Sequence, residues 1–172
     1  YDGVICDSLD VKTKAFKELY SQYGPKIQKL VEKYHLENGG ISRFEKFKYY
    51  ETTLLKKKNI DLNTINDLCN KFSFLVKKKV INSKFIPGVK TFIKNNSKEY
   101  TQYICTGTPE KEINLIINEQ RINKYFEKAL GSPKTKDEII KIILEKSNVT
   151  NQECIYFGDA LTDYIAAKKN NI

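Results

Sequence analysis

Apolar residues over positions 11–82 recur at intervals of three and four, the period of a helix buried on one side. Phe16, Leu19, Tyr20 and Tyr23 form one such stripe, closed by Gly24-Pro25. Ile27, Leu30, Val31 and Tyr34 form the next, ended by Asn38-Gly39-Gly40. Ser42, with Glu45 three residues on, reads as a capping box, and Phe44, Phe47 and Tyr50-Leu54 carry the stripe onward. Ile65, Leu68, Phe72, Leu75 and Val76 predict a further helix over 64–80. No strand is predicted anywhere in the stretch. It reads as an all-helical insertion.

Past residue 84 the pattern changes. Phe85-Ile86-Pro87-Gly88 breaks the helical period, and a short helix follows through Phe92 and Ile93. Tyr100 to Cys105 has strand composition. Thr106-Gly107-Thr108-Pro109 then turns, with Thr108 as N-cap and Pro109 at the first helical position of a helix buried through Ile113, Ile116 and Ile117. Tyr125-Phe126 and Ala129-Leu130 predict another strand, ending at Gly131-Ser132-Pro133. Thr135 and Glu138 box the next helix, whose face is Ile139, Ile140, Ile143 and Leu144, and Cys154 to Phe157 reads as the last strand. Strands alternating with helices imply an α/β fold with a Rossmann-like parallel sheet. The predicted core is 1–10 plus 84–172, with 11–83 as the helical insertion. Apolar residues begin only after Asp2-Gly3, so a strand is expected to precede Tyr1, and one more is expected beyond Ile172.

A chain of 172 residues, 40% hydrophobic, can bury a full core. No apolar run approaches the ~18 residues of a membrane helix, and three aspartates in the first ten residues are unlike a signal peptide. The net charge of +9 is nearly all lysine, arginine occurring only at Arg43 and Arg121. That is a compositional bias, and with no basic-aromatic reader motif present the sequence argues against a nucleic-acid partner. Cys6, Cys69, Cys105 and Cys154 are scattered, which suits free thiols in a reducing, cytoplasmic setting.

Candidate chemistry concentrates where strands end. Gly158-Asp159 follows an apolar run, and Asp163 lies four residues further. Two hard oxygen donors suit Mg²⁺; the plainer alternative is that Asp159 ends a strand and Asp163 caps a helix. Asp2, Thr106 and Lys136 (or Lys134) follow other strands, and parallel strands bring their carboxyl ends to one edge. An acid, a hydroxyl beside helix-N-terminal amides, a lysine and a metal-binding acid pair together make a phosphate site.

On these motifs the chain resembles the haloacid dehalogenase superfamily, specifically its phosphoglycolate-phosphatase-like branch with a helical cap. The family's Asp-x-Asp-Gly-(Val/Thr) is matched from its second position by Tyr1-Asp2-Gly3-Val4. Its Ser/Thr motif is matched by Thr106, its lysine by Lys136, and its Gly-Asp-x-x-x-Asp by Gly158 to Asp163. The resemblance implies a two-step phosphoryl transfer through an aspartyl-phosphate. The nucleophile is then expected immediately before Tyr1, so the chain as written is not expected to turn over. Asp2 is implied as general acid and base, a role that favours phosphate esters over carbon–halogen bonds or phosphonates. Thr106 and Lys136 would hold the phosphoryl oxygens, with Gly107 beside them on the substrate side. Asp2, Asp159 and Asp163 are the implied Mg²⁺ residues, Asp163 either as ligand or as a partner orienting Lys136.

The insertion carries one more candidate, the stretch Asn38 to Lys46. Its two glycines and Arg43 suggest a cap loop in which Arg43, with Lys46, grips a polar or anionic part of the substrate; an inter-helix turn with solvated charges reads equally well. His35, the sole histidine, is expected at the surface. The expected substrate is a small phosphorylated metabolite, and the oligomeric state stays open between monomer and homodimer. Rival readings are a phosphosugar mutase, a catalytically silent binding protein and, more weakly, a nucleic-acid 3′-phosphatase.

Overall fold

A computed structural model describes residues 1–172. Eight helices and two strands follow one another along the chain. Helices α1 (Leu9–Leu19), α2 (Gly24–Glu37), α3 (Arg43–Tyr49) and α4 (Leu62–Ile81) come first, with a π-helical turn at Tyr50–Leu54 after α3. This stretch is all-helical, as its apolar period predicts. Then come α5 (Val89–Asn96), β1 (Tyr103–Pro109), α6 (Glu110–Glu119), β2 (Lys128–Ser132), α7 (Lys136–Ser147) and α8 (Leu161–Lys169). No helix is long and apolar enough to cross a membrane.

The predicted stripes are the buried faces. Phe16, Tyr20, Val31, Phe47, Tyr50, Phe72 and Val76 are all nearly or fully buried. Their rings interlock: Phe16 and Phe72 have centroids 4.2 Å apart, and Tyr20 meets Tyr50 edge-on at 5.2 Å. Ile113, Ile116 and Ile117 of α6 belong to the same continuous apolar cluster, so the helical block and the α/β part share one core. Thr135 and Glu138 form the capping box their spacing predicts. At α3 the Ser42 hydroxyl accepts from the Glu45 amide at 3.4 Å.

β1 and β2 pair in parallel, Ile104 opposite Ala129 and Cys105 opposite Leu130. Three sequence expectations are corrected here. First, Cys154 to Phe157 is not a strand: it pairs with no strand among residues 1–172, and Ile155 and Phe157 are 81% and 61% exposed. Its composition suits a sheet, but a strand exists only where a neighbour takes its backbone hydrogen bonds. Second, β1 runs on through Thr108 to Pro109, and Pro109 itself is the N-cap of α6. The expected amides of a helix N-terminus directly after Thr106 are therefore displaced. Third, Tyr125 lies in a single 3₁₀ turn before β2, and the strand starts at Lys128.

The interlocked rings generate a test. Phe47→Ala leaves a hole against Phe16, Tyr20, Tyr50 and Phe72. It should lower unfolding free energy by about 3–5 kcal/mol in urea titration.

Candidate active site

The first residues and the segment around Asp159 lie against each other. Gly3 has a φ of +74°, and a side chain there would collide with the Asp159 carboxylate. Only a glycine combines that backbone with such an approach. Between these segments, β1 and the helical block is a cavity of about 380 Å³. Asp2, Thr106, Gly107, Lys136, Asp159 and Asp163 all border it, so the structure brings the motif residues together. Arg43, Lys46 and His35 border it from the helical block.

Asp2 is fully engaged. Ser8 Oγ donates to its Oδ1 at 2.5 Å; Lys12 Nζ donates to Oδ2 at 2.5 Å, and Thr108 Oγ1 donates to Oδ2 at 3.3 Å. Lys12 also reaches Thr108 Oγ1 at 3.0 Å, tying α1 to β1. Burial alone would raise the carboxyl pKa, but Lys12 and these hydrogen bonds outweigh it and hold Asp2 well below the usual carboxylate range. Asp2 is thus ionised at neutral pH.

Lys136 is the first residue of α7, and its Nζ donates to Asp163 Oδ1 at 2.5 Å. Tyr156 donates to the same oxygen at 2.7 Å, and the Ala160 amide donates to Oδ2 at 3.2 Å. Burial opposes ionisation of Asp163, yet Lys136 and Tyr156 hold its pKa below normal. Lys134 lies outside the cavity, 3.7 Å from Glu110 and 44% exposed. Thr106 is buried, its hydroxyl accepting from the Thr108 amide at 3.2 Å. A side chain at Gly107 would sit 2.6 Å from the Gly40 carbonyl oxygen, and Thr162 Oγ1 donates to the Gly39 carbonyl at 2.7 Å. The Gly39–Gly40 loop is therefore laid directly on the core.

The metal residues sort themselves by what already holds them. Asp2 and Asp163 have both oxygens taken, and no group of three acidic, histidine or cysteine side chains surrounds one point. Of the two roles open to Asp163, the contacts are those of a partner to Lys136. Asp159 is exposed, its carboxylate in the cradle over Gly3. Mg²⁺ is commonly held by one or two carboxylates with substrate phosphate and water. Asp159 fits that ion as a lone carboxylate ligand of this chain; a three-aspartate set does not.

Two expectations in the helical block are overturned. Arg43 is not free for substrate: it is 5% exposed and forks onto Glu112 of α6 at 2.8 and 2.6 Å, with Ser73 Oγ at 2.5 Å. A planar guanidinium satisfied by one carboxylate has little left to offer another anion. Burial works against Glu112, but the Arg43 charge and hydrogen bonds keep its pKa low. His35 is buried, 4.8 Å from the Phe16 ring, because the apolar face of α2 carries it inward against α1. Lys46, 2% exposed, sits 2.7 Å from His35 Nδ1. Sequence reasoning missed Lys12 and Thr108. Lys12, like Lys136, is a cation near the start of a helix, where the dipole disfavours it unless an anion lies there.

A parallel α/β unit and a helical block here share one core and border one polar cavity. The chain belongs to the haloacid dehalogenase-like hydrolase family, whose model matches residues 1–172. A probable phosphoglycolate phosphatase of Pseudomonas putida is 26% identical over 88 residues, 48% of this chain and 35% of that protein. The chain thus spans about a third of that relative's length. A β-phosphoglucomutase structure from Clostridium difficile superposes with TM-score 0.80 at 21% identity, covering 99% of this chain and 78% of that one. A putative phosphoglycolate phosphatase from Lactobacillus plantarum gives 0.76 at 15%, covering 99% and 80%.

Two outcomes are expected. Arg43→Ala and Glu112→Ala should each cost about 3–5 kcal/mol, since each strands a buried charge, and the double variant should cost much less than their sum in a double-mutant cycle. Asp2, Asp163 and Glu112 all have folded pKa values below their unfolded ones of about 4. Their contribution is present above pH ~4–4.5 and lost as pH falls further. Urea midpoints should drop steeply below pH 4, and Asp2→Asn should flatten that slope.

Proposed function

We propose that the protein is a Mg²⁺-dependent phosphatase acting on a small phosphorylated metabolite. The observation that carries this reading is one cavity bordered by Asp2, Thr106, Lys136 and Asp159. A phosphate monoester needs an acid–base group at its bridging oxygen and cationic or N–H donors around its other oxygens. The cavity supplies both kinds.

The attacking carboxylate is that of the residue expected before Tyr1, which would form an aspartyl-phosphate as the ester bond breaks. Asp2 would give a proton to the leaving oxygen and then take one from the water that cleaves the intermediate. Ionised and held by Lys12, Asp2 is already in the form that activates water. For the first step Lys12 must turn away to an incoming phosphoryl group, which lets the Asp2 carboxylate take a proton from solvent before it passes that proton to the leaving oxygen. Lys136, oriented by Asp163, and the Thr106 hydroxyl would hold the phosphoryl oxygens. Asp159 would hold Mg²⁺, which when bound neutralises phosphate charge. The helical block, residues 11–83 in this reading, acts as a cap whose opening admits substrate and whose closure excludes water.

A mutase reading requires an acid–base group in the cap, and what supports it is the Lys46–His35 pair at the border of the cavity. Product analysis separates the two: free phosphate for a phosphatase, an isomerised phosphosugar for a mutase.

The test uses the full-length protein. Peptide mass mapping should give aspartate before Tyr1, and a panel of small phosphate esters should release phosphate only with Mg²⁺. Asp2→Asn should lower kcat by about 10²–10⁴ and Lys136→Ala by about 10²–10³. Another residue before Tyr1, or phosphate release indifferent to Mg²⁺ and to both variants, would overturn the reading.

A further inference from the structure

Tyr156 stands behind the site rather than in it. Lys136 and Asp163 border the cavity, whereas Tyr156 does not. Its neighbours Ile155 and Phe157 are exposed, and Tyr156 between them turns inward, half-buried. There its phenol donates to Asp163 Oδ1 at 2.7 Å, the oxygen that also accepts from Lys136 Nζ at 2.5 Å. The Cys105 thiol of β1 lies against the same phenol and reaches the Lys136 carbonyl at 3.7 Å. One tyrosine thus meets β1, α8 and the carboxylate that faces the first residue of α7.

We infer that Tyr156 is a positioning residue: its hydroxyl fixes the Asp163 carboxylate that aims Lys136 at the phosphoryl group. The inference rests on the phosphate-ester reading of the cavity and deepens it.

A carboxylate turns about its last bond unless donors other than its cation hold it. Asp163 Oδ2 accepts from the Ala160 amide at 3.2 Å, at the long end of the range for such a bond. Tyr156 is therefore the closer of the two donors that fix the carboxylate independently of Lys136. An ammonium has three donors. With one spent on Asp163, the others can serve phosphoryl oxygens, provided that Asp163 stays in place as Lys136 leans into the cavity. A second donor on Oδ1 also takes up part of that oxygen's charge, so Lys136 keeps more of its attraction for an incoming anion. Without the hydroxyl, Asp163 follows the lysine and holds it harder. Burial, then Cys105 and Asp163, keeps the phenol pKa well above its ordinary value, so Tyr156 remains protonated and donates.

The experiment is calorimetry with inorganic phosphate on the full-length protein with Mg²⁺, in a cycle of Tyr156→Phe, Lys136→Ala and the double variant. Tyr156→Phe keeps the ring and removes only the hydroxyl. It should weaken phosphate binding about 5–10-fold, a share of the ~10–100-fold that one charged hydrogen bond is worth. In the Lys136→Ala background the same change should alter affinity by less than about twofold. Lys136→Gln, which keeps a donor for Asp163 but no charge, supplies a second background should Lys136→Ala fail to fold, and there too most of the loss should vanish. A hydroxyl that merely stabilised the fold would weaken binding equally with and without the lysine. Undiminished phosphate affinity in Tyr156→Phe, or an equal loss in every background, would overturn the assignment and leave the phosphate-ester reading standing. Absence of phosphate binding by the unaltered protein would overturn that reading, and this one with it.

Discussion

Three largely buried ion pairs border the site, and each ties two segments of the fold together. Lys12–Asp2 ties the first segment to α1, Lys136–Asp163 ties α7 to α8, and Arg43–Glu112 ties α3 to α6. An unpaired charge at such depth costs several kcal/mol, so each pair forbids arrangements that separate its halves. The pairs specify geometry more than they add stability, since apolar packing could replace their net energy. What they fix is where a phosphoryl-sized anion would meet Lys136, Thr106 and Asp2. The same contacts set the protonation states: Asp2 and Asp163 stay ionised while Lys12 and Lys136 face them.

Much of the fold was legible because it rests on period. The stripes through Phe16, Val31, Phe47 and Phe72 are the buried faces, and Thr135-Glu138 caps α7. The motif residues Asp2, Thr106, Lys136, Asp159 and Asp163 do share one cavity. What the sequence could not show depends on partners far along the chain. Arg43 looked available because its loop is glycine-rich and exposed in pattern; Glu112, 69 residues away, claims it. His35 looked like a surface residue because one polar ring says nothing of the helix face it rides. The run at Cys154 has strand composition, yet composition does not create the neighbouring strand that a ladder needs.

The division of cations also explains how the two halves of the site could differ in mobility. Arg43–Glu112 is bidentate, further held by Ser73, and lies on the side where α3, α4 and α6 share the core. The opposite side is held differently. There the Gly39–Gly40 loop touches Gly107 backbone to backbone and receives one hydroxyl hydrogen bond from Thr162. A clamp of buried charges on one side and a glycine contact on the other make the loop side the weaker seam. Opening there would uncover the cavity while leaving the α3–α6 pair intact. A ligand would then favour the shut seam only by the contacts it makes on both sides of it, the differential binding that any closing motion requires.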